Sequence, residues 1–167
     1  MVFVARVLVQ MVIFWHRRIS WTEALAEAGF IIPLSLCSLA WGAARRREPV
    51  GWKEALGFVV FLGGTWVNVH SELQRHLWKA DPANAGRLFT LGLWQRARHI
   101  NYFGEIASFA GLALFCGVYN LWIAVAMGVG MGGFSVPELD FYLERKYPDE
   151  WAAYVEAVPF HMVPGVW

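Results

Sequence analysis

From Ile106 to Pro137 the chain runs for 32 residues without a single Asp, Glu, Lys or Arg. An ordinary soluble surface cannot carry such a run, because a surface helix alternates apolar and charged faces. One straight helix of that length would reach roughly 48 Å at 1.5 Å per residue, well beyond a hydrocarbon core of about 30 Å. Two crossings need about 40 residues. Extending the run back to Asn101 and forward to Arg145 gives 45 residues, with a natural turn at Gly117-Val118-Tyr119-Asn120. The pattern predicts a C-terminal helical hairpin whose two ends return to the same face.

Three further apolar tracts precede it. Met1 to Trp15 is interrupted by Arg6 and Gln10, while Ala28 to Ala44 and Ala55 to Ser71 are each 17 uncharged residues. That is near the lower limit for a span. The whole chain is 57% hydrophobic and only 16% charged, against about 25% charged in average soluble domains. Its ten tryptophans and twelve phenylalanines suit aromatic belts at two interfaces. We therefore expect one all-α membrane domain over 1–167, an integral helical bundle of about five transmembrane helices with a cytoplasmic tail. With five spans, nine cations share one side: Arg17, Arg18, Arg75, Lys79, Arg87, Arg96, Arg98, Arg145 and Lys146. The other side holds Arg45, Arg46, Arg47 and Lys53. The positive-inside bias puts the first group, with the 72–100 segment and the C-terminus, in the cytoplasm, although the Arg45–Arg47 cluster opposes it. Membrane lipids are the expected surroundings. A net charge of +1 and no basic stripe with interleaved aromatics argue against nucleic acid. Cys37 and Cys116 lie far apart in apolar runs, so neither a disulfide nor a metal site is expected. The N-terminal tract lacks a cleavable pattern and reads as a retained helix.

Polar chemistry concentrates just before the uncharged run. Arg98-His99-Ile100-Asn101-Tyr102-Phe103-Gly104-Glu105 packs two cations, an amide, a phenol and a carboxylate into eight residues. On a helix starting near Asn101, Asn101 and Glu105 share one face. Glu105 then lies just inside the apolar layer, where a carboxylate is costly unless paired or hydrated. A helix N-terminus at the interface would also favour it there. Upstream, Asn68, Glu72 and Arg75 recur at helical spacing beside His76 and suit one wall of a polar pocket. Asp81-Pro82-Ala83-Asn84-Ala85-Gly86 is turn chemistry. Gly128-Val129-Gly130-Met131-Gly132-Gly133 spells G-x-G-x-x-G, but a dinucleotide loop needs a strand before it and a helix after it in a soluble unit. Ala124, Gly128 and Gly132, spaced by four, read instead as a small-residue packing face.

The Arg98–Glu105 run resembles the Arg-His-x-Asn-Tyr-x-Gly-Asp/Glu signature of membrane sterol and steroid reductases. The tail Lys146-Tyr147-Pro148-Asp149-Glu150-Trp151-Ala152-Ala153-Tyr154, then Val158-Pro159-Phe160-His161-Met162-Val163-Pro164, is similar to the ending of sterol C14/C7 reductases. It is similar also to the 5-alpha-reductase C-terminal domain. The isoprenylcysteine carboxyl methyltransferases share the architecture and the Arg-His start. The resemblance covers roughly 66–167. It implies an NADPH site contacted by Arg75, Arg98, His99, Asn101, Tyr102, Glu105, Trp151 and Tyr154, with Tyr102 and Glu105 as the catalytic pair. Forked guanidinium donors suit phosphate, and Asn can hydrogen-bond a carboxamide. Two departures stand out. Ser71 occupies the position of an upstream Lys, and Pro137-Glu138-Leu139-Asp140 stands where the sterol reductases carry His-Arg and Arg-Asp pairs.

The implied function is reduction of a carbon–carbon double bond in a lipophilic, steroid- or lipid-like small molecule. The alternatives are an S-adenosylmethionine-dependent membrane methyltransferase and a non-catalytic membrane protein that binds sterol or a partner. Asn101 and Glu105 favour the reductase.

Overall fold

The computed structural model describes Arg6, Val9, Ile13, Trp21, residues 32–47 and residues 49–167. The described residues are all-α, with α1 over Ile32–Arg45, α2 over Trp52–Ala80, α3 over Ile100–Cys116, α4 over Leu121–Gly130, α5 over Val136–Lys146 and α6 over Pro148–Ala157. The first apolar tract falls largely outside them.

The long helix α2 starts where a capping box allows it to. Gly51 takes an extended backbone, and its N–H donates to Glu54 Oε2 at 2.7 Å. Glu54 also places negative charge on the positive end of the helix dipole. At the far end Asn84 Nδ2 donates to the Trp78 carbonyl at 2.9 Å, satisfying an acceptor of the last turn. Asp81 accepts from Ala83 N at 2.9 Å, which closes the expected Asp81–Gly86 turn.

Antiparallel packing of α2 on α3 builds the centre of the molecule. The buried positions of α2 are Gly57, Phe61, Gly64, Asn68, Ser71 and Glu72, and those of α3 include Ile100, Gly104, Ser108 and Gly111. Both sets recur every three to four residues, so each forms one face. Glycines let the backbones touch. A Cβ on Gly64 would lie 2.5 Å from Ser108 N, one on Gly104 would lie 2.5 Å from Asn68 N, and one on Gly57 would lie 2.8 Å from Gly111 O. Thr65 Oγ1 and Ser108 Oγ meet across the seam at 3.3 Å. Small residues with a polar contact between them are the usual means of close helix packing where water supplies no drive.

This corrects one expectation. The sequence places the close approach on Ala124, Gly128 and Gly132, yet among the described residues a Cβ on Gly128 would meet only Ile106 Cδ1, at 3.9 Å. Gly132 does pack closely, against the Trp167 ring at 2.8 Å, but that partner is a side chain and not a helix backbone.

The hairpin turn forms where the sequence places it. Gly117 adopts φ of 140°, open to glycine and strained for other residues, and the Val118–Asn120 turn leads into α4. From there the chain stays helical to Lys146, widened to a π-turn at Met131–Ser135 just before Pro137. A proline lacks the N–H that would continue the ladder and its ring crowds the carbonyl four residues back, which the wider turn relieves. Among the described residues, Val118–Lys146 is the one helix long and apolar enough to cross a membrane by length and composition, and Ile100–Cys116 is apolar but shorter.

The seam makes a clear prediction. Gly64→Leu or Gly111→Leu should lower detergent stability by about 1–3 kcal/mol or more, because backbone has nowhere to retreat. Gly63→Ala, where an added Cβ meets nothing within 4 Å among the described residues, should leave it equal or slightly higher. Thermal melting of the purified variants checks both.

Candidate functional site

The polar residues singled out from the sequence fall into two groups flanking the start of α3. The first spans the α2–α3 seam. Asn101 Nδ2 donates to Glu72 Oε1 at 2.8 Å, and the second oxygen of Glu72 accepts from Arg75 Nη2 at 2.5 Å. Asn68 Nδ2 donates to the Asn101 carbonyl at 2.9 Å, tying α2 to the first turn of α3. Glu72 is buried while the Arg75 side chain is 41% exposed, its guanidinium 5.3 Å from the Trp94 ring centroid. The pair thus reaches from the seam to the surface. Asn101 Oδ1 is buried with no hydrogen-bond partner among the described residues.

The second group joins the start of α3 to the C-terminal segment. Arg98 N donates to the Phe160 carbonyl at 2.9 Å and His99 N to the His161 carbonyl at 2.6 Å. The Arg98 side chain, 4% exposed, donates to the Val158 carbonyl at 2.7 Å and lies against the His161 ring, 2.9 Å from Nδ1. His99 is fully buried; its Nε2 donates to Asp140 Oδ1 at 2.6 Å, and its ring stacks on Tyr102 with centroids 5.7 Å apart. The other oxygen of Asp140 lies 3.4 Å from His161 Nδ1 and 3.8 Å from Arg98 Nη2. Asp140 therefore serves two histidines and an arginine at once. A buried guanidinium without such a carboxylate would be very costly.

Glu105 ion-pairs with Arg6, whose side chain is almost wholly buried. The carboxylate that looked costly on α3 and the cation that interrupted the first apolar tract thus compensate each other.

Trp151 and Tyr154 belong to a buried cluster with Val158, packed by Leu88 and Leu143. The Tyr154 hydroxyl donates to the Trp94 carbonyl at 2.7 Å, and Trp94 Nε1 in turn donates to the Ser71 carbonyl at 2.9 Å. Burial pushes the Tyr154 phenol well above its ordinary range, so it remains a donor. The aromatic pair backs Arg98, whose guanidinium lies 5.7 Å from the Trp151 ring centroid. Ser71 is fully buried beneath Trp94, so its side chain cannot reach solvent as a lysine there would.

Asp140 and His161 were not singled out as site residues. Asp140 had a signal, as one of the first carboxylates after the uncharged run. His161 had none beyond its place in the tail.

A nicotinamide dinucleotide offers a carboxamide and phosphates. The donor set fits it at the α2–α3 seam, where the unpaired Asn101 Oδ1 can accept from an amide and Arg75 stands within reach of phosphate. Arg98 and His99 are instead engaged by the chain's own carbonyls and Asp140, which suits support of the site more than direct contact.

A family model described as a protein of unknown function, DUF1295, matches residues 18–136. The chain belongs to the DUF1295 family. Relatives include a probable O-methyltransferase, ustE, of Ustilaginoidea virens, 33% identical over 94 residues that cover 55% of this chain and 33% of the relative. A Delta(14)-sterol reductase of Arabidopsis thaliana is 25% identical over 126 residues, 65% of this chain and 33% of its own. A probable 7-dehydrocholesterol reductase of Acanthamoeba polyphaga mimivirus is 33% identical over 92 residues, 53% of this chain and 20% of its own. The chain spans a third or less of the length of these curated relatives. The resemblance read from Arg98–Glu105 therefore holds at the level of the superfamily, with reductases and a methyltransferase both among the relatives. Within this DUF1295 protein the family match stops at Val136, so Asp140, Trp151, Tyr154 and His161 lie beyond it.

The cluster predicts a pH dependence. Burial lowers the His161 pKa below its ordinary value of 6.5, Arg98 lowers it further, and Asp140 opposes both. The unfolded chain then binds a proton more readily than the folded one, so the stability this residue lends is present above pH 6.5 and is lost as pH falls below it. Melting temperature should drop from pH 7.5 to 5.5, and His161→Gln should flatten that slope.

Proposed function

We propose that this DUF1295 protein is a multi-pass membrane protein that binds NADPH at the cytoplasmic end of the α2–α3 seam and reduces a carbon–carbon double bond in a lipophilic molecule. The observation that carries the reading is the Asn101–Glu72–Arg75 line, which holds an unpaired buried acceptor at one end and an accessible guanidinium at the other. The sterol-reductase relatives support the reaction class. The membrane setting is supported by the Val118–Lys146 helix and its outward Val125, Val129 and Phe134, which are 64%, 65% and 75% exposed. Apolar surface on that scale needs a cover other than water.

NADPH, when bound, supplies the hydride. Asn101, its amide nitrogen fixed by Glu72, orients the carboxamide, and Arg75 takes phosphate. With Glu105 engaged by Arg6, Tyr102 is the residue we assign as proton donor to substrate, since a phenol carries its proton at neutral pH. Asp140 holds His99, and His99 holds the Tyr102 ring by stacking. An open groove of about 300 Å³ on the adjoining face of α2, lined by Leu62, Thr65, Trp66, Val69, His70 and Leu73, supplies an apolar wall for the substrate.

The O-methyltransferase relative supports a second reading, in which the same seam binds S-adenosylmethionine. Nucleotide binding separates the two. Saturating NADPH should raise the melting temperature of detergent-purified protein by mass action, and S-adenosylmethionine should not. Asn101→Ala and Arg75→Ala should weaken NADPH binding about ten- to hundredfold, the worth of one charge-assisted hydrogen bond, and each should also lower the melting temperature because it strips a donor from the buried Glu72 carboxylate. A shift with S-adenosylmethionine alone would replace the reductase by the methyltransferase.

A further inference from the structure

The Arg45-Arg46-Arg47 run has no part in the chemistry above, and it sits on the side where the positive-inside bias expects few cations. It lies at the opposite end of α3 from Arg98. The 17 residues of α3 separate the two ends by about 25 Å, close to the thickness of a hydrocarbon core.

At this end a pocket of about 290 Å³ opens among Gly42, Arg45, Arg46, Arg47, Glu54 and Tyr119. The three cations differ. Arg46 Nη2 lies 2.7 Å from Glu54 Oε1, and its Nη1 donates to the Phe115 carbonyl at 3.1 Å, so its charge is matched and it forms a wall. Arg45 and Arg47 are exposed, and among the described residues neither has an ion pair. The Arg45 guanidinium rests 4.1 Å from the Trp41 ring centroid, which holds the cation at the rim.

A second observation comes from the wall behind Gly42. Asn120 is fully buried, its Oδ1 accepting from Ser38 Oγ at 2.5 Å, while its Nδ2 is buried with no partner among the described residues. A Cβ on Gly42 would lie 2.7 Å from that Nδ2 and 2.6 Å from the Tyr119 hydroxyl. Tyr119 lines the pocket, while the Asn120 amide packs against Gly42 behind its wall. Two guanidiniums without an ion pair among the described residues, beside the Tyr119 hydroxyl in the same pocket, make a site for an anion with several acceptor oxygens. Trp41, 57% exposed under Arg45, and Trp52, 73% exposed at the start of α2, are placed as residues of a membrane interface are.

We propose that this pocket binds the phosphate of an anionic membrane lipid, on the face of the protein opposite the nucleotide site. The charge that breaks the positive-inside pattern is then matched by the headgroup. The proposal rests on the membrane part of the reading above and is independent of which nucleotide binds.

The test uses full-length protein in neutral detergent, with phosphatidylglycerol or phosphatidylcholine added at equal mole fraction. Melting temperature and NADPH affinity are measured in parallel. Phosphatidylglycerol should raise the melting temperature of the wild type and phosphatidylcholine should not. Arg45→Gln/Arg47→Gln should lose that shift and keep wild-type nucleotide affinity. The single Arg47→Gln, at an exposed position, should lose part of it and serves if the double variant folds poorly. Equal shifts from both lipids, or a full shift retained in the variants, would overturn the proposal. Inorganic phosphate giving the same shift at the same concentration would overturn the lipid and leave a free-anion site. A protein that extracts without detergent would overturn the membrane reading before any lipid is added.

Discussion

The backbone contact of α2 with α3 is the constraint on which the rest depends. Gly57, Gly64, Gly104 and Gly111 let two long helices meet without side chains between them. Only at that separation do Asn68 and Glu72 reach the first turn of α3, where the Asn101 amide and carbonyl meet them at 2.8 and 2.9 Å. A seam of larger residues would hold the helices 8–10 Å apart, the ordinary spacing of packed helices, and those hydrogen bonds would not form. Packing and chemistry therefore share one cause here: glycine on both helices sets the distance that the polar line requires.

The C-terminal segment closes the other side of the site. Its carbonyls at Val158, Phe160 and His161 accept from the side chain of Arg98 and the backbone of Arg98 and His99. The chain end thus satisfies donors that precede α3, and Asp140 arrives from α5 to balance the charge. Buried charge is tolerated because one carboxylate faces several donors, and removing it would leave all of them uncompensated. The π-turn before Pro137 lies directly upstream of this carboxylate, and such wide turns are common beside functional groups. Arg98 and His99 thereby gain rigid positions behind Asn101 and Tyr102.

Much of this was legible in the sequence, and the misses have physical reasons. The hairpin turn was readable because glycine and asparagine interrupt a run too long for one crossing. The convergence of Asn68, Glu72 and Arg75 was readable from helical spacing. The close seam was not: its glycines sit seven apart on two helices, each pair diluted by larger neighbours, whereas Gly128–Gly133 concentrates small residues where little among the described residues packs against them. The resemblance implies cofactor contact for Trp151 and Tyr154, and the structure shows both side chains buried with the Tyr154 hydroxyl donating to the Trp94 carbonyl. Sequence spacing cannot separate those roles. The Arg6–Glu105 pair joins residues a hundred positions apart, and no local pattern reports such a partner.

The central claim is that Glu72 holds Asn101 in place for the nucleotide, and a double-mutant cycle tests it directly. NADPH affinity would be measured for wild type, Glu72→Gln, Asn101→Ala and the double variant in detergent. If Glu72 acts through Asn101, the second substitution costs little once the first is made, with a coupling of at least about 0.5 kcal/mol. Losses that add to within about 0.3 kcal/mol would mean the two residues act independently, and would contradict the account.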